Sequence, residues 1–134
     1  VRAFQPADLA LIQPNEPGVD ETMDLAGVAD NSWTVLRDGV PVAAGGLIYV
    51  HDYRALAWAF VSPTAPALPL LRLARNHLDG QGFARIDAMV AEDYEQGHRW
   101  VRLMGFHAEG PPMRYYLPNG GTAQMYVRFT DDRG

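Results

Sequence analysis

Between Tyr53 and Val61 bulky and small side chains alternate, with Leu56, Trp58 and Phe60 on one side and Ala55, Ala57 and Ala59 on the other. A period of two is that of a strand, here with one bulky and one nearly bare face. The period changes at Pro66–Leu78, where Leu70, Leu71, Leu73, Ala74 and Leu78 share one side of a helix and Arg72, Arg75 and Asn76 point outward. Gly80 and Gly82 stop that helix. Upstream, Ser32–Leu36 and Val40–Tyr49 flank Arg37-Asp38-Gly39 and read as a hairpin, because Asp-Gly tolerates the positive φ of a tight turn.

The remaining elements follow the same logic. Val1–Phe4 is a short extended segment, and Pro6 opens a helix to about Ile12. Gln13–Gly18 is a loop, and Asp20 caps an acidic helix through Ala29 with Met23 and Val28 or Leu25 inward. Phe83–Ala91 is a strand with Ile86, Ala88 and Val90 on one face. Asp93 is the expected cap of a helix from Tyr94 to Met104, closed by Gly105 in the left-handed position. Phe106–Glu109, Met113–Leu117 and Thr122–Phe129 are strand-like, with Asn119-Gly120-Gly121 turning between the last two. The order β-α-α-β-β-β-α-β-α-β-β implies one α/β domain over residues 1–134, with parallel pairing at the centre of a mixed sheet.

Composition narrows the chemistry. The 134 residues are 48% hydrophobic and 20% charged, which suits a packed core rather than disorder. With no cysteine there are no disulfides, thiolate nucleophiles, Cys-based zinc sites or iron–sulfur clusters. The net charge of −5 argues against non-specific nucleic-acid binding. Eight acids against Arg2 and Arg37 make residues 1–52 acidic, whereas residues 53–134 carry eight acids and nine arginines. No apolar run is long enough for a membrane span, and Arg2 and Asp8 interrupt a signal-peptide reading.

The stretch His98-Arg99-Trp100-Val101-Arg102-Leu103-Met104-Gly105-Phe106-His107-Ala108-Glu109-Gly110 resembles the helix–Gly–Phe–x–x–Glu–Gly segment of the GNAT (Gcn5-related N-acetyltransferase) superfamily. Arg2 to Leu9 is similar to that family's opening stretch. The resemblance covers nearly the whole chain and implies a mixed sheet of six or seven strands flanked by about four helices. A narrower likeness is to short GNAT-like proteins of tailed bacteriophages, including the T7-type internal virion protein family. It rests on Ala57-Trp58-Ala59, Gly97-His98-Arg99-Trp100, Glu109-Gly110, and the tail from Met113-Arg114-Tyr115-Tyr116 through Pro118-Asn119-Gly120 to Tyr126.

The GNAT resemblance also implies a glycine-rich turn whose amides cradle the pyrophosphate of acetyl-CoA at a helix N-terminus. Here that stretch is Val61-Ser62-Pro63-Thr64-Ala65-Pro66-Ala67-Leu68-Pro69-Leu70, without glycine, and Pro66 and Pro69 each remove a donor. By position in the fold, Val61, Arg72 and Arg75 are the candidate cofactor contacts. No carboxylate lies in Leu56–Val61; Asp52 reads as a turn acid and Asp87 as a salt-bridged strand acid or a base. The family's acid, a Tyr four residues before the Gly of Gly-Phe, falls on Val101, leaving Tyr94, Tyr115 and Tyr116 as substitutes or packing residues. His51, His77, His98 and His107 lack metal-ligand spacing, and Ser32 and Ser62 lack a nucleophile elbow.

Arg72, Arg75, Arg99 and Arg102 read as solvated helix faces paired with Asp79, Glu92 or Glu95, and Trp58, Phe60 and Trp100 as core. The expectation is therefore a GNAT-like phage protein without a resident cofactor or metal. It would act through its surfaces on other phage structural proteins or on itself, in the virion or the host cytoplasm, with the hairpin bearing Tyr115, Tyr116, Met125 and Tyr126 facing outward. The alternative is an acetyl-CoA-dependent N-acetyltransferase with an atypical cofactor loop.

Overall fold

The computed structural model describes residues 1–12 and 31–130. The strands are β1 (Arg2–Ala3), β2 (Ser32–Arg37), β3 (Val40–His51), β4 (Arg54–Val61), β5 (Arg85–Ala91), β6 (His107–Ala108) and β7 (Ala123–Phe129). Helix α1 (Ala67–Asp79) links β4 to β5 and α2 (Glu95–Leu103) follows β5. The seven strands form one sheet in the order β1-β2-β3-β4-β5-β7-β6. Among the described strands only β4 and β5 pair in parallel, the arrangement a helical crossover requires. The rest of the sheet is antiparallel.

Several expectations change. Pro6–Leu11 is a 3₁₀ helix rather than an α-helix. Among the described residues two α-helices flank the sheet instead of about four, and the expected loop at 13–18 and acidic helix at 20–29 lie outside those residues. Asp93 does not cap α2; Tyr94 takes that position without a side-chain hydrogen bond. Met113–Leu117 is not a strand, and only Met113 bridges to Ala123. Pro111 and Pro112 leave the chain just before it without donors, and Tyr115 sits at φ +58°, which interrupts a ladder. Tyr126 does not face outward but is 1% exposed, whereas Tyr115 and Tyr116 are exposed.

Asp8 explains the opening of the chain. Arg2 donates both Nη groups to its carboxylate at 2.7 and 2.8 Å, Thr34 Oγ1 donates at 2.7 Å and the Gln5 amide at 3.0 Å. These bonds, led by Arg2, hold the buried carboxyl at a pKa of about 2 against the desolvation that would raise it. They fasten the 3₁₀ turn and β1 to β2. At the other end of the chain Gly105 adopts φ +94°, and the turn it makes sends buried Phe106 into the core.

Helices α1 and α2 cover one face of the sheet. Beneath them Leu47, Ala55, Leu78, Ile86, Ala88, Val90, Val101, Phe106 and Tyr126 form the main core. A second cluster, Trp33, Ala43, Val61 and Leu70, lies toward the C-terminal end of β4. Phe4, Ile12, Ala44 and Phe60 pack on the opposite face, with Trp58 against them.

Candidate functional site

Strands β4 and β5 pair only where Arg54–Leu56 meet Arg85–Asp87. Beyond that point they diverge, opening a cleft of about 140 Å³. Its walls include Ala57, Trp58, Ala59 and Val61 from β4, Ala88, Met89 and Val90 from β5, and residues of both helices. The alternating small residues of β4 thus become one wall. Ser62 donates its amide to Val42 on the β3 side, and Tyr53 accepts from Arg85 on the β5 side. Strand alternation therefore turns the amides of Ala59 and Val61 toward the cleft, where β5 no longer pairs with them.

The loop leading into α1 has few amides to offer a ligand. The N–H of Thr64 is taken by Ser62 Oγ at 3.3 Å and that of Ala65 by the Ser62 carbonyl at 3.0 Å. Pro63, Pro66 and Pro69 have none, and Leu70 donates to the Pro66 carbonyl. This leaves the N–H groups of Ala67 and Leu68 as the two outward donors of the first turn. Arg37 Nη1 ties the loop down through the Thr64 carbonyl at 2.9 Å.

Trp100 forms part of the cleft wall. It projects from α2, on the β5 side, and packs against the Trp33, Ala43, Val61 and Leu70 cluster contributed by β2, β3, β4 and α1. Arg75 Nη1 adds a second tie across the gap by donating to the Leu103 carbonyl at 3.1 Å. The amphipathic period that makes Trp100 look like core does place it inward. What the period does not contain is the divergence of β4 and β5 beneath it.

The other candidates scatter. Val61 is buried in the cluster that Trp100 contacts, while Arg72 and Arg75 are exposed on α1. Asp87 is 1% exposed and lies away from the cleft, held by Arg54 Nε at 2.6 Å and Arg85 Nε at 2.7 Å; Glu109 binds Arg85 from the other side. Tyr94 lines the cleft with its ring over Gly97, where an added Cβ would come within 2.5 Å of the ring. Val101 is core. Asp52 accepts from Tyr49 in an exposed turn. Asp79 binds buried Arg128, and Arg102 reaches the Tyr126 hydroxyl at 3.4 Å. Among the described residues no Asp or Glu side chain lines the cleft, and no group of three metal-ligating side chains occurs.

His77 is the polar residue that sequence reasoning weighed only as a metal ligand. It lines the cleft, and its Nε2 is buried without a hydrogen-bond partner. Burial lowers its pKa, offset in part by a hydrogen bond to the Asn31 backbone.

The sequence matches no protein-family model and no curated protein. Solved structures do match. A putative acetyltransferase, yncA from Salmonella typhimurium, determined with its cofactor acetyl-CoA, superposes with a TM-score of 0.71 over 99% of this chain and 94% of that one, at 13% identity. The fold is that of the GNAT acetyltransferases. A GNAT-family acetyltransferase from Bacillus anthracis gives 0.69 over 97% and 93% of the two chains at 15% identity. A variant of the spermidine N-acetyltransferase from Vibrio cholerae gives 0.63 at 15% identity over 75% of this chain, which spans 65% of that enzyme's length. Within the GNAT fold, the parallel pair that separates is β4 and β5, and the cleft lies between them.

Proposed function

We propose that this chain is a GNAT-fold protein whose cleft does not take acetyl-CoA and which acts through its surfaces. The single observation that carries the reading is Trp100, which reaches from α2 to pack against the cluster that holds Val61 and Leu70. An extended cofactor arm would have to enter where this indole packs. The loop adds to the obstacle. Replacing two charge-assisted hydrogen bonds of about 1.5–3 kcal/mol each with proline rings weakens pyrophosphate binding by roughly two to four orders of magnitude. Nor, among the described residues, does the cleft offer a carboxylate to take a proton from an amine.

A role as a virion-associated or assembly component of a tailed bacteriophage is the form of this reading that the sequence motifs support. The partners would be other phage structural proteins or a second copy of the chain. Exposed aromatic side chains suited to association are Tyr49 and Tyr53 at the β3–β4 turn, and Tyr115 and Tyr116 before β7.

One observation favours the second reading, an acetyl-CoA-dependent N-acetyltransferase. The unpaired amides of Ala59 and Val61 form a free strand edge with which an amide-bearing cofactor arm could pair. A thiol-release assay separates the two. With acetyl-CoA and a panel of polyamines and amino-terminal peptides, the surface-acting reading expects release no faster than buffer alone. Enzyme-dependent turnover on any acceptor would establish the transferase.

A further inference from the structure

The face of the sheet turned away from α1 and α2 carries a second concavity. Side chains alternate across a strand. While Ala55, Ile86 and Ala88 enter the main core beneath the helices, Arg54, Arg85 and Asp87 belong to the other side. There they line an open depression of about 600 Å³, a size common among small-molecule sites. The parallel register sets Arg54 beside Arg85. Asp87, two residues further along β5 and 1% exposed, offsets both charges.

With Glu109 these residues make one chain of charges alternating in sign. Glu109 accepts from both Nη groups of Arg85. Arg85 Nε donates to one oxygen of Asp87 at 2.7 Å, and Arg54 Nε donates to the other at 2.6 Å. Every nitrogen of the Arg85 guanidinium and every oxygen of the two carboxylates is thus engaged. Arg54 gives only Nε. Among the described residues its Nη1 and Nη2 have no partner. Nor are they buried: the side chain keeps 38% of its surface, and the buried unpartnered atoms of the described residues belong to Trp58, His77 and Arg128. Asp87 therefore pins a guanidinium whose outer edge stays open. That edge offers two parallel N–H donors, which match the two oxygens of a carboxylate.

Two properties of the depression select its guest. The four charges sum to zero, so a single negative charge on Arg54 is tolerated, whereas a dianion such as a phosphate monoester also meets the repulsion of Asp87 and Glu109. The remaining walls are apolar, Pro111 and Pro112 with the thioethers of Met113 and Met125. Thioethers make favourable contacts with aromatic rings.

We propose that this depression binds a monocarboxylate carried on an aromatic body, with its two oxygens on Nη1 and Nη2 of Arg54 and its ring against Met113 and Met125. The inference goes beyond the surface-acting reading and does not rest on it, because no residue lines both this depression and the cleft.

Isotope-labelled methionine methyls report the site in the whole chain. Titration with phenylacetate is expected to shift those of Met113 and Met125 saturably, with a dissociation constant in the millimolar range or tighter. The methyl of Met104, in the cleft, should stay in place. Phenylacetamide, of the same shape but uncharged, should bind about 10- to 100-fold more weakly, the interval that charge-assisted hydrogen bonds set. Phenyl phosphate as a dianion should also bind more weakly than phenylacetate. In the Arg54→Gln variant the preference for phenylacetate over phenylacetamide should vanish. Should that variant fail to fold with Asp87 left one partner, the three-ligand series on the natural chain decides alone. A short peptide ending in phenylalanine with a free carboxylate distinguishes the sources. Tighter binding than phenylacetate would identify the guest as a protein C-terminus and weaker binding as a free acid, and both support the site. Phenylacetamide binding as tightly as phenylacetate, phenyl phosphate binding more tightly, or no saturable shift up to the solubility of the ligands would overturn the proposal.

Discussion

Trp100 and Gly97 share the face of α2 that meets the cleft, and each makes a separable energetic statement. Trp100 is half-buried yet packs against a cluster of buried residues from other elements. Trp100→Ala is therefore expected to cost about 2–4 kcal/mol in urea denaturation, at or just below the range for fully buried aromatics. A loss under about 1 kcal/mol would mean the indole is not wedged across the gap. Gly97→Ala tests the other contact. Its new methyl would meet the Tyr94 ring at 2.5 Å and Val90 Cγ1 at 2.9 Å, so a loss of about 1–3 kcal/mol is expected from overpacking. The cost should shrink when Tyr94→Ala is made in the same chain, since the clash is with that ring. Additive effects would show that Tyr94 is not what Gly97 accommodates. The pattern of apolar positions in α2 is enough to mark Trp100 as inward. It is silent on Tyr94, because a ring lying back over the helix depends on the missing side chain at position 97.

At the scale of elements, local period and turn chemistry carried most of the fold. The Asp-Gly hairpin appears as Asp38 and Gly39 at positive φ between β2 and β3, and α1 and β4 fall within a residue or so of their expected bounds. The failures have physical causes. Met113–Leu117 has strand-like side chains, but prolines on one side and a left-handed tyrosine within it leave the backbone unable to pair. The first turn shows the reverse, a feature whose energetics are stronger than its length suggests. Asp8 titrates at about 2 in the fold against an ordinary 3.8, so its contribution to stability is complete above the ordinary value and is lost as pH falls toward 2. Because Arg2 is partly solvated, that contribution is about 1–2 kcal/mol rather than the full linkage value. Denaturation midpoints measured on either side of this interval should converge for Asp8→Asn and the natural chain at the acid end and separate above it. A constant difference at every pH would rule out the titration of Asp8 as the cause.

For the whole molecule, what was legible and what was not divide at the cleft. Element order and the Gly105-Phe106 turn point to the GNAT fold, and the match of 99% of the chain to a solved acetyltransferase structure agrees. The cleft itself depends on where two strands stop pairing, and no local pattern in Arg54–Val61 or Arg85–Ala91 marks Leu56 and Asp87 as the last partners. The role of Trp100 follows from that divergence and was hidden with it. The most direct test of the account is calorimetric titration of the intact chain with acetyl-CoA at low ionic strength, where phosphate contacts are strongest. The narrowed cleft and the glycine-free loop predict no saturable heat up to millimolar ligand; a dissociation constant in the low micromolar range would contradict it.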